Sequence, residues 1–142
     1  MTKNIIKLLT SQHNNLKKIL LEIKKLSTKD NPDYSAIIKK QETFKKLLTE
    51  HLDTENNILY PRILKEYNKK NISGIKSLIY EMKEIETNVN NFLEKYKTSS
   101  IIQKQINQYI PELIDIIETF SIRMESEKDA LFIAWDMIER NK

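Results

Sequence analysis

Apolar residues recur at three- and four-residue steps along almost the whole chain, and this periodicity constrains the fold more than any other feature. Such spacing places apolar side chains on one face of a helix. The first stripe consists of Ile5, Leu9, Leu16, Leu20, Ile23 and Leu26. The chain contains one Gly and three Pro, too few for an all-β fold with many tight turns. The sequence therefore predicts an all-α protein.

Three polar or turn-forming stretches divide this pattern into four helices. They are residues 27–32, 68–74 and 98–100. Long amphipathic helices that are joined by short loops pack as antiparallel neighbours. The prediction is an up-down-up-down antiparallel four-helix bundle that forms a single domain over residues 1–142.

The boundaries of the later helices depend on two prolines. We expect the second helix over about residues 33–60, where Pro61 kinks or ends it before a short continuation. The third helix is expected over about residues 75–97 and the fourth over about 101–140. Pro111 should kink the fourth helix or mark its true start.

Composition excludes several classes of function. No Cys is present, which removes disulfides, thiolate zinc sites and iron–sulfur clusters, and the single Gly excludes a Gly-rich phosphate loop. The net charge of +4 comes from Lys residues interleaved with Glu and Asp, whereas nucleic-acid-binding proteins more often have a clustered basic stripe. No apolar run is long enough to cross a membrane or to form a signal peptide. We therefore expect a cytoplasmic protein without a nucleic-acid or membrane partner.

Polar residues on the apolar faces are the candidate functional residues. His13 lies on the first stripe, and His51 and Glu55 stand one helical turn apart on the second helix. A hydrogen-bonded core histidine and an exposed His–Glu pair would give the same local patterns. An internal repeat favours function, because residues 51–61 and 123–133 share a basic residue, a Glu at the fifth place and an apolar pair ending in an aromatic residue.

This repeat places Glu55 and Glu127 at a similar depth, with Arg123 in the position that His51 holds relative to Glu55. Glu86 falls on the apolar stripe of the third helix. Carboxylates inside an apolar core are costly unless they are paired or bound to a metal. Neutral imidazoles combined with carboxylates suit iron, manganese or zinc. The sequence thus predicts a metal site.

At these residues the chain resembles the hemerythrin-like, or HHE, cation-binding family. The matching pieces are His13, His51-x-x-x-Glu55 with Leu59-Tyr60-Pro61, and Glu127 with Leu131-Phe132. The resemblance implies a four-helix bundle in which histidines of the first two helices bind one iron, histidines of the last two bind another, and two carboxylates bridge them. It implies a protein that binds or senses O2, nitric oxide or iron. We expect such a binding or sensing role in preference to an enzymatic activity.

Two departures from the family pattern leave three interpretations. Arg123 replaces the fourth-helix histidine, and the third helix has no histidine, with Glu86 nearest the expected place. Arg has no lone pair to donate. In the favoured interpretation one metal ion, most plausibly iron, is bound by His13, His51, Glu55 and Glu127, while Arg123 occupies the lost half-site beside a carboxylate.

In the second interpretation metal binding has been lost, and the core of a helical interaction or regulatory module is held by a buried charge network of Arg123, His13, His51 and the three glutamates Glu55, Glu86 and Glu127. In the third, Glu86 completes a dinuclear, carboxylate-rich site. We expect Tyr60 and Phe132 to pack beside the site. No feature of the sequence indicates the oligomeric state.

Overall fold

The computed structural model describes residues 3–66 and 72–140, which are helical except for short connections at 28–33, 96–98 and 105. The helices are α1 (Lys3–Ser27), α2 (Tyr34–Thr54), α3 (Tyr60–Glu66), α4 (Ile72–Lys95), α5 (Ser99–Lys104), α6 (Ile106–Glu127) and α7 (Ile133–Arg140). Two π-helical turns join them, π1 (Glu55–Leu59) between α2 and α3 and π2 (Lys128–Phe132) between α6 and α7. The predicted all-α bundle is confirmed.

The helices combine into four long rods. Rod 1 is α1, rod 2 is α2 with π1 and α3, rod 3 is α4, and rod 4 is α6 with π2 and α7. Side chains at two starts cap their helices: Asp33 accepts a hydrogen bond from the Ala36 N–H at 3.1 Å, and Thr98 accepts one from the Ile101 N–H at 3.2 Å. Oxygen atoms at these positions satisfy backbone donors that have no partner within the helix.

Contacts between rods show that sequence neighbours run antiparallel. Rods 1 and 2 meet through the ion pair Glu22–Lys40 and, further up rod 2, through the rings of His13 and His51. Rods 3 and 4 meet through the ion pairs Lys95–Glu112 and Glu81–Arg123. Residue numbers rise on one rod of each pair while they fall on the other, which is the order expected of an up-down bundle.

Two apolar clusters fill the bundle, and a polar layer lies between them. The larger cluster includes Leu16, Leu48 and Met124. The smaller cluster includes Leu9, Leu59 and Leu131. His13, His51, Glu55 and Glu127 are buried at the intervening positions of rods 1, 2 and 4. None of the described helices has the length and apolar character needed to cross a membrane.

Rod 2 does not end at Pro61. The Tyr60 N–H bonds to the Glu55 carbonyl, so the backbone widens into a π turn immediately before the proline. In an α-helix the proline ring would strike the carbonyl four residues earlier. Pro61 directly follows the residue that closes this wider turn, and the rod continues to Glu66.

Three other predicted boundaries were wrong. Helix α4 begins at Ile72 rather than at residue 75, and it ends at Lys95 rather than at residue 97; residues 67–71 of the predicted continuation and loop lie outside the described residues. Pro111 lies inside α6, and the break falls at Gln105, where φ is −116° and ψ is 26°. The apolar pattern hides this break because Ile102, before it, and Ile106, after it, both pack on the larger cluster.

Candidate metal centre

Four residues from three rods converge in the polar layer between the two apolar clusters. They are His13 on α1, His51 on α2, Glu55 at the start of π1 and Glu127 at the end of α6. His51, Glu55 and Glu127 are completely buried, and His13 is 8% exposed. One nitrogen or oxygen atom from each residue lies within 4.8 Å of all the others. The structure therefore brings together the four residues that the sequence singled out for one metal ion.

One nitrogen of each histidine and one oxygen of each glutamate face a common point. These four inner atoms form a compact group, which we call the N2O2 set. His13 Nε2 lies 2.9 Å from Glu127 Oε1 and 3.8 Å from Glu55 Oε2. His51 Nε2 lies 3.1 Å from Glu55 Oε2 and 3.9 Å from Glu127 Oε1. These four atoms lie at ion-pair distances from one another, but none of them forms a hydrogen bond of regular geometry within the described part of the chain. Buried polar atoms nearly always have a partner, and a cation bound to all four would satisfy them together.

A polar neighbour fixes the orientation of the His51 ring. Its Nδ1 lies 2.7 Å from the side-chain oxygen of Gln12. An amide oxygen only accepts hydrogen bonds, so Nδ1 carries the hydrogen and Nε2 presents its lone pair to the cluster. Metal-binding histidines are held by the same kind of partner on their second nitrogen. Gln12 stands beside His13 without a distinctive spacing, so no periodic pattern predicted its role.

The hydroxyl of Tyr60 contacts both glutamates. It lies 3.1 Å from Glu55 Oε1 and 2.8 Å from Glu127 Oε2, the carboxylate oxygens that face away from the histidines. A phenol has one hydrogen and donates it to one of these oxygens at a time. Burial and the two carboxylates raise the pKa of Tyr60 above its ordinary value, so the hydroxyl keeps this hydrogen.

The two π turns explain why aromatic residues reach the site. In a π turn, residues five positions apart lie on the same side of the rod. Tyr60 is five residues after Glu55, and Phe132 is five residues after Glu127. The Phe132 ring stacks on the ring of His13 with a centroid distance of 5.3 Å. Both aromatic residues therefore pack beside the cluster, as the sequence predicted.

The clustered residues differ in the direction in which burial and their neighbours shift their pKa values. Burial lowers the pKa of His13, but the carboxylates of Glu127 and Glu55 outweigh burial and raise that pKa to about 9. Burial lowers the pKa of His51 to about 4, and the positive charge of His13 acts in the same direction. Burial and the Glu55 carboxylate raise the pKa of Glu127 to about 8, against the opposing effect of His13. Without a metal ion, His13 carries a proton at neutral pH and His51 is a neutral nitrogen donor.

Arg123 does not point into the bundle, and that prediction was wrong. Its guanidinium Nη1 pairs with Glu81 Oε2 at 2.8 Å on the surface between α4 and α6, and its side chain is 34% exposed. Arg123 does lie one turn before Glu127, but its long side chain lets the charged group reach water while the stem covers the helix surface. The guanidinium therefore stays hydrated and paired instead of occupying a lost half-site.

Glu86 is not part of the cluster either. It is half-buried on α4 and is absent from the group of atoms that converge on one point. Burial raises the pKa of Glu86, Lys83 lowers it and Asp53 raises it. The buried side chains of this part of α4 are the apolar residues Ile79, Met82 and Ile85. Rod 3 thus supplies no ligand atom to the cluster.

A small cavity reaches the cluster from the side of rods 1 and 4. It has a volume of about 100 Å³, and its lining includes the buried residues His13 and Phe132 and the exposed residues Lys17 and Lys128. A larger cleft of about 410 Å³ lies between α4 and α6, and its lining contains none of the four clustered residues. Within the described residues, the small cavity is therefore an opening that leads to the site.

Comparison with known proteins identifies one family. The model of the hemerythrin HHE cation binding domain matches residues 4–134. The match includes both histidines, both glutamates and both π turns. No curated protein and no solved structure matches the chain.

Proposed function

Because this chain belongs to the hemerythrin HHE cation-binding family, we propose that it binds one non-haem iron ion through His13, His51, Glu55 and Glu127. The observation that carries this proposal is the convergence of two nitrogens and two oxygens, all buried and within 4.8 Å of one another, none of which forms a hydrogen bond of regular geometry within the described residues. Imidazole and carboxylate are ligands that suit iron, manganese and zinc.

Charge balance supports a divalent ion in this position. Glu55 and Glu127 are buried together, and without a metal ion protons on His13 and Glu127 offset their charge. A divalent ion would displace these protons and neutralise both carboxylates while leaving the imidazoles neutral. The metal-free alternative counted the permanently charged Arg123 guanidinium among the members of the buried network. Arg123 is paired with Glu81 at the surface instead. The charge network of that alternative therefore lacks its main cation.

The surroundings support the binding or sensing of a small molecule. Bound iron would supply a redox-active centre, and four protein ligands leave coordination positions for a small molecule such as O2 or nitric oxide. Gln12 holds the His51 ring, Phe132 covers one side of His13, and the small cavity connects that side to the surface. We propose a role in handling or sensing O2, nitric oxide or iron, in the cytoplasm because a cysteine-free chain suits a reducing compartment.

Metal analysis tests this proposal directly. Protein purified without an affinity tag is loaded with Fe2+ under anaerobic conditions, separated from free metal and assayed for iron. We expect one ion per chain, lost in His51→Ala and retained in Glu86→Gln, because Glu86 is a partly buried carboxylate outside the cluster. No bound iron after loading would favour the metal-free interaction module, and two ions per chain would favour the dinuclear interpretation.

A further inference from the structure

Each glutamate of the cluster uses its two carboxylate oxygens differently. The inner oxygens, Glu55 Oε2 and Glu127 Oε1, face the two histidines. The outer oxygens, Glu55 Oε1 and Glu127 Oε2, both contact the hydroxyl of Tyr60, at 3.1 Å and 2.8 Å. The two carboxylates therefore meet at two places. Their inner oxygens belong to the N2O2 set, and their outer oxygens share the single hydroxyl of Tyr60.

We propose that the Tyr60 hydroxyl occupies the position in which a second cation would bridge the two carboxylates, and that it thereby limits the centre to one metal ion. This inference rests on the proposed function, because the inner point must bind a metal ion. Paired carboxylates commonly bridge two cations that stand about 3.5–4 Å apart. A hydroxyl at hydrogen-bond distance from both outer oxygens cannot share that position with a cation, whose bonds to oxygen are only about 2.0–2.2 Å long.

The packing of Tyr60 holds the hydroxyl in this place. Tyr60 is 5% exposed and belongs to the smaller apolar cluster, directly after the π1 turn that brings it over Glu55. Its ring cannot swing out to solvent without opening that cluster. Rod 3 would have to complete a second metal site, but its buried side chains in this region include Ile79 and Met82 and no nitrogen ligand.

The same hydroxyl makes Tyr60 a positioning residue for the first ion. It links a carboxylate of rod 2 to a carboxylate of rod 4, so both inner oxygens stay aimed at the same point. Partners that hold metal ligands in place typically affect metal affinity about 10–100-fold when they are removed. Tyr60 therefore has two separable effects, one on the affinity for the first ion and one on the number of ions.

Two substitutions separate these effects. Tyr60→Phe removes only the hydroxyl, and Tyr60→His places a nitrogen donor beside the outer oxygens in a smaller side chain. Tyr109→Phe is the matched control, because Tyr109 is a fully buried tyrosine whose hydroxyl bonds to Gln41 in the larger apolar cluster. Circular dichroism establishes that each variant is folded, and Mn2+ binding is followed by equilibrium dialysis and by electron paramagnetic resonance.

For Tyr60→Phe we expect one Mn2+ per chain with an affinity about 10–100-fold lower than wild type, while Tyr109→Phe keeps the wild-type affinity. For Tyr60→His we expect two Mn2+ ions per chain and the resonance of an exchange-coupled pair. An unchanged affinity in Tyr60→Phe, a single ion in folded Tyr60→His, or two ions in the wild type would each overturn the inference alone. A wild-type protein that binds no Mn2+ would refute the proposed function and this inference with it.

Discussion

Loss of His51 should abolish the stabilisation that a metal ion gives to this bundle. A ligand that binds only the folded state adds about 2.7 kcal/mol to the free energy of unfolding at a free concentration 100 times its dissociation constant. Unfolding entropies of about 2.1 cal/mol/K per residue give about 0.3 kcal/mol/K for a chain of 142 residues. Metal loading should therefore raise the unfolding midpoint of the wild type by about 9 °C.

His51→Ala should remain folded without metal, because the apolar faces of all four rods persist. The lost side chain leaves a cavity and an unpaired Gln12 oxygen, but it also removes a buried nitrogen that forms no hydrogen bond of regular geometry. We expect the metal-free variant to lose about 1–3 kcal/mol. The metal-dependent rise in the midpoint should disappear, as followed by circular dichroism with and without Fe2+ under anaerobic conditions.

Gln41→Ala is the matched control for this experiment. Gln41 is a buried polar residue on the same helix, bonded to the Tyr96 carbonyl near the opposite end of the bundle. Its replacement should lower the midpoint without metal and leave the metal-dependent rise intact. A rise that survives in the double variant His13→Ala/His51→Ala would refute the site assignment.

Three further predictions follow from the same geometry. Since the metal must displace protons from His13 and Glu127, whose pKa values are raised to about 9 and about 8, Mn2+ affinity should increase with pH up to about pH 9. Proton release should be detectable by calorimetry in buffers of different ionisation enthalpy, and a pH-independent affinity would contradict this prediction. Arg123→Ala should cost no more than about 1 kcal/mol in chemical denaturation, like Glu81→Ala, because the pair lies partly exposed at the surface, and a cost above 3 kcal/mol would indicate a buried role. Phe132→Ala should enlarge the cavity beside His13 and accelerate removal of bound iron by a chelator; an unchanged rate would show that this side is not the entry route.

Local patterns sufficed to predict the rods and the positions of the four clustered residues. A helical face repeats every three to four residues, so a polar residue on an apolar stripe is visible without knowledge of its neighbours. The repeat between residues 51–61 and 123–133 added the relative depth of Glu55 and Glu127. The structure places both glutamates in the same layer, as that repeat indicated.

Neither π turn was predictable, because the extra residue in each turn depends on backbone bonding and not on a distinctive residue type. The turns bring Tyr60 and Phe132 onto the cluster side of their rods, where an α-helix would turn the residue five positions on to another face. Their presence beside the site was predictable from apolar character alone, but the hydroxyl bridge of Tyr60 was not.

The sequence by itself determined a four-rod all-α bundle and the four side chains that share its polar layer, since burial follows from the apolar period of each rod. Only the tertiary structure decided how the long and polar side chains are used. Arg123 lies one turn from Glu127, yet its guanidinium goes to Glu81, because a flexible cation is most stable where it meets both a carboxylate and water. Gln12 meets His51, and Tyr60 joins Glu55 to Glu127, through contacts between residues 39 and 67 positions apart along the chain. Such contacts exist only once the rods have packed, and they leave no periodic trace in any single rod.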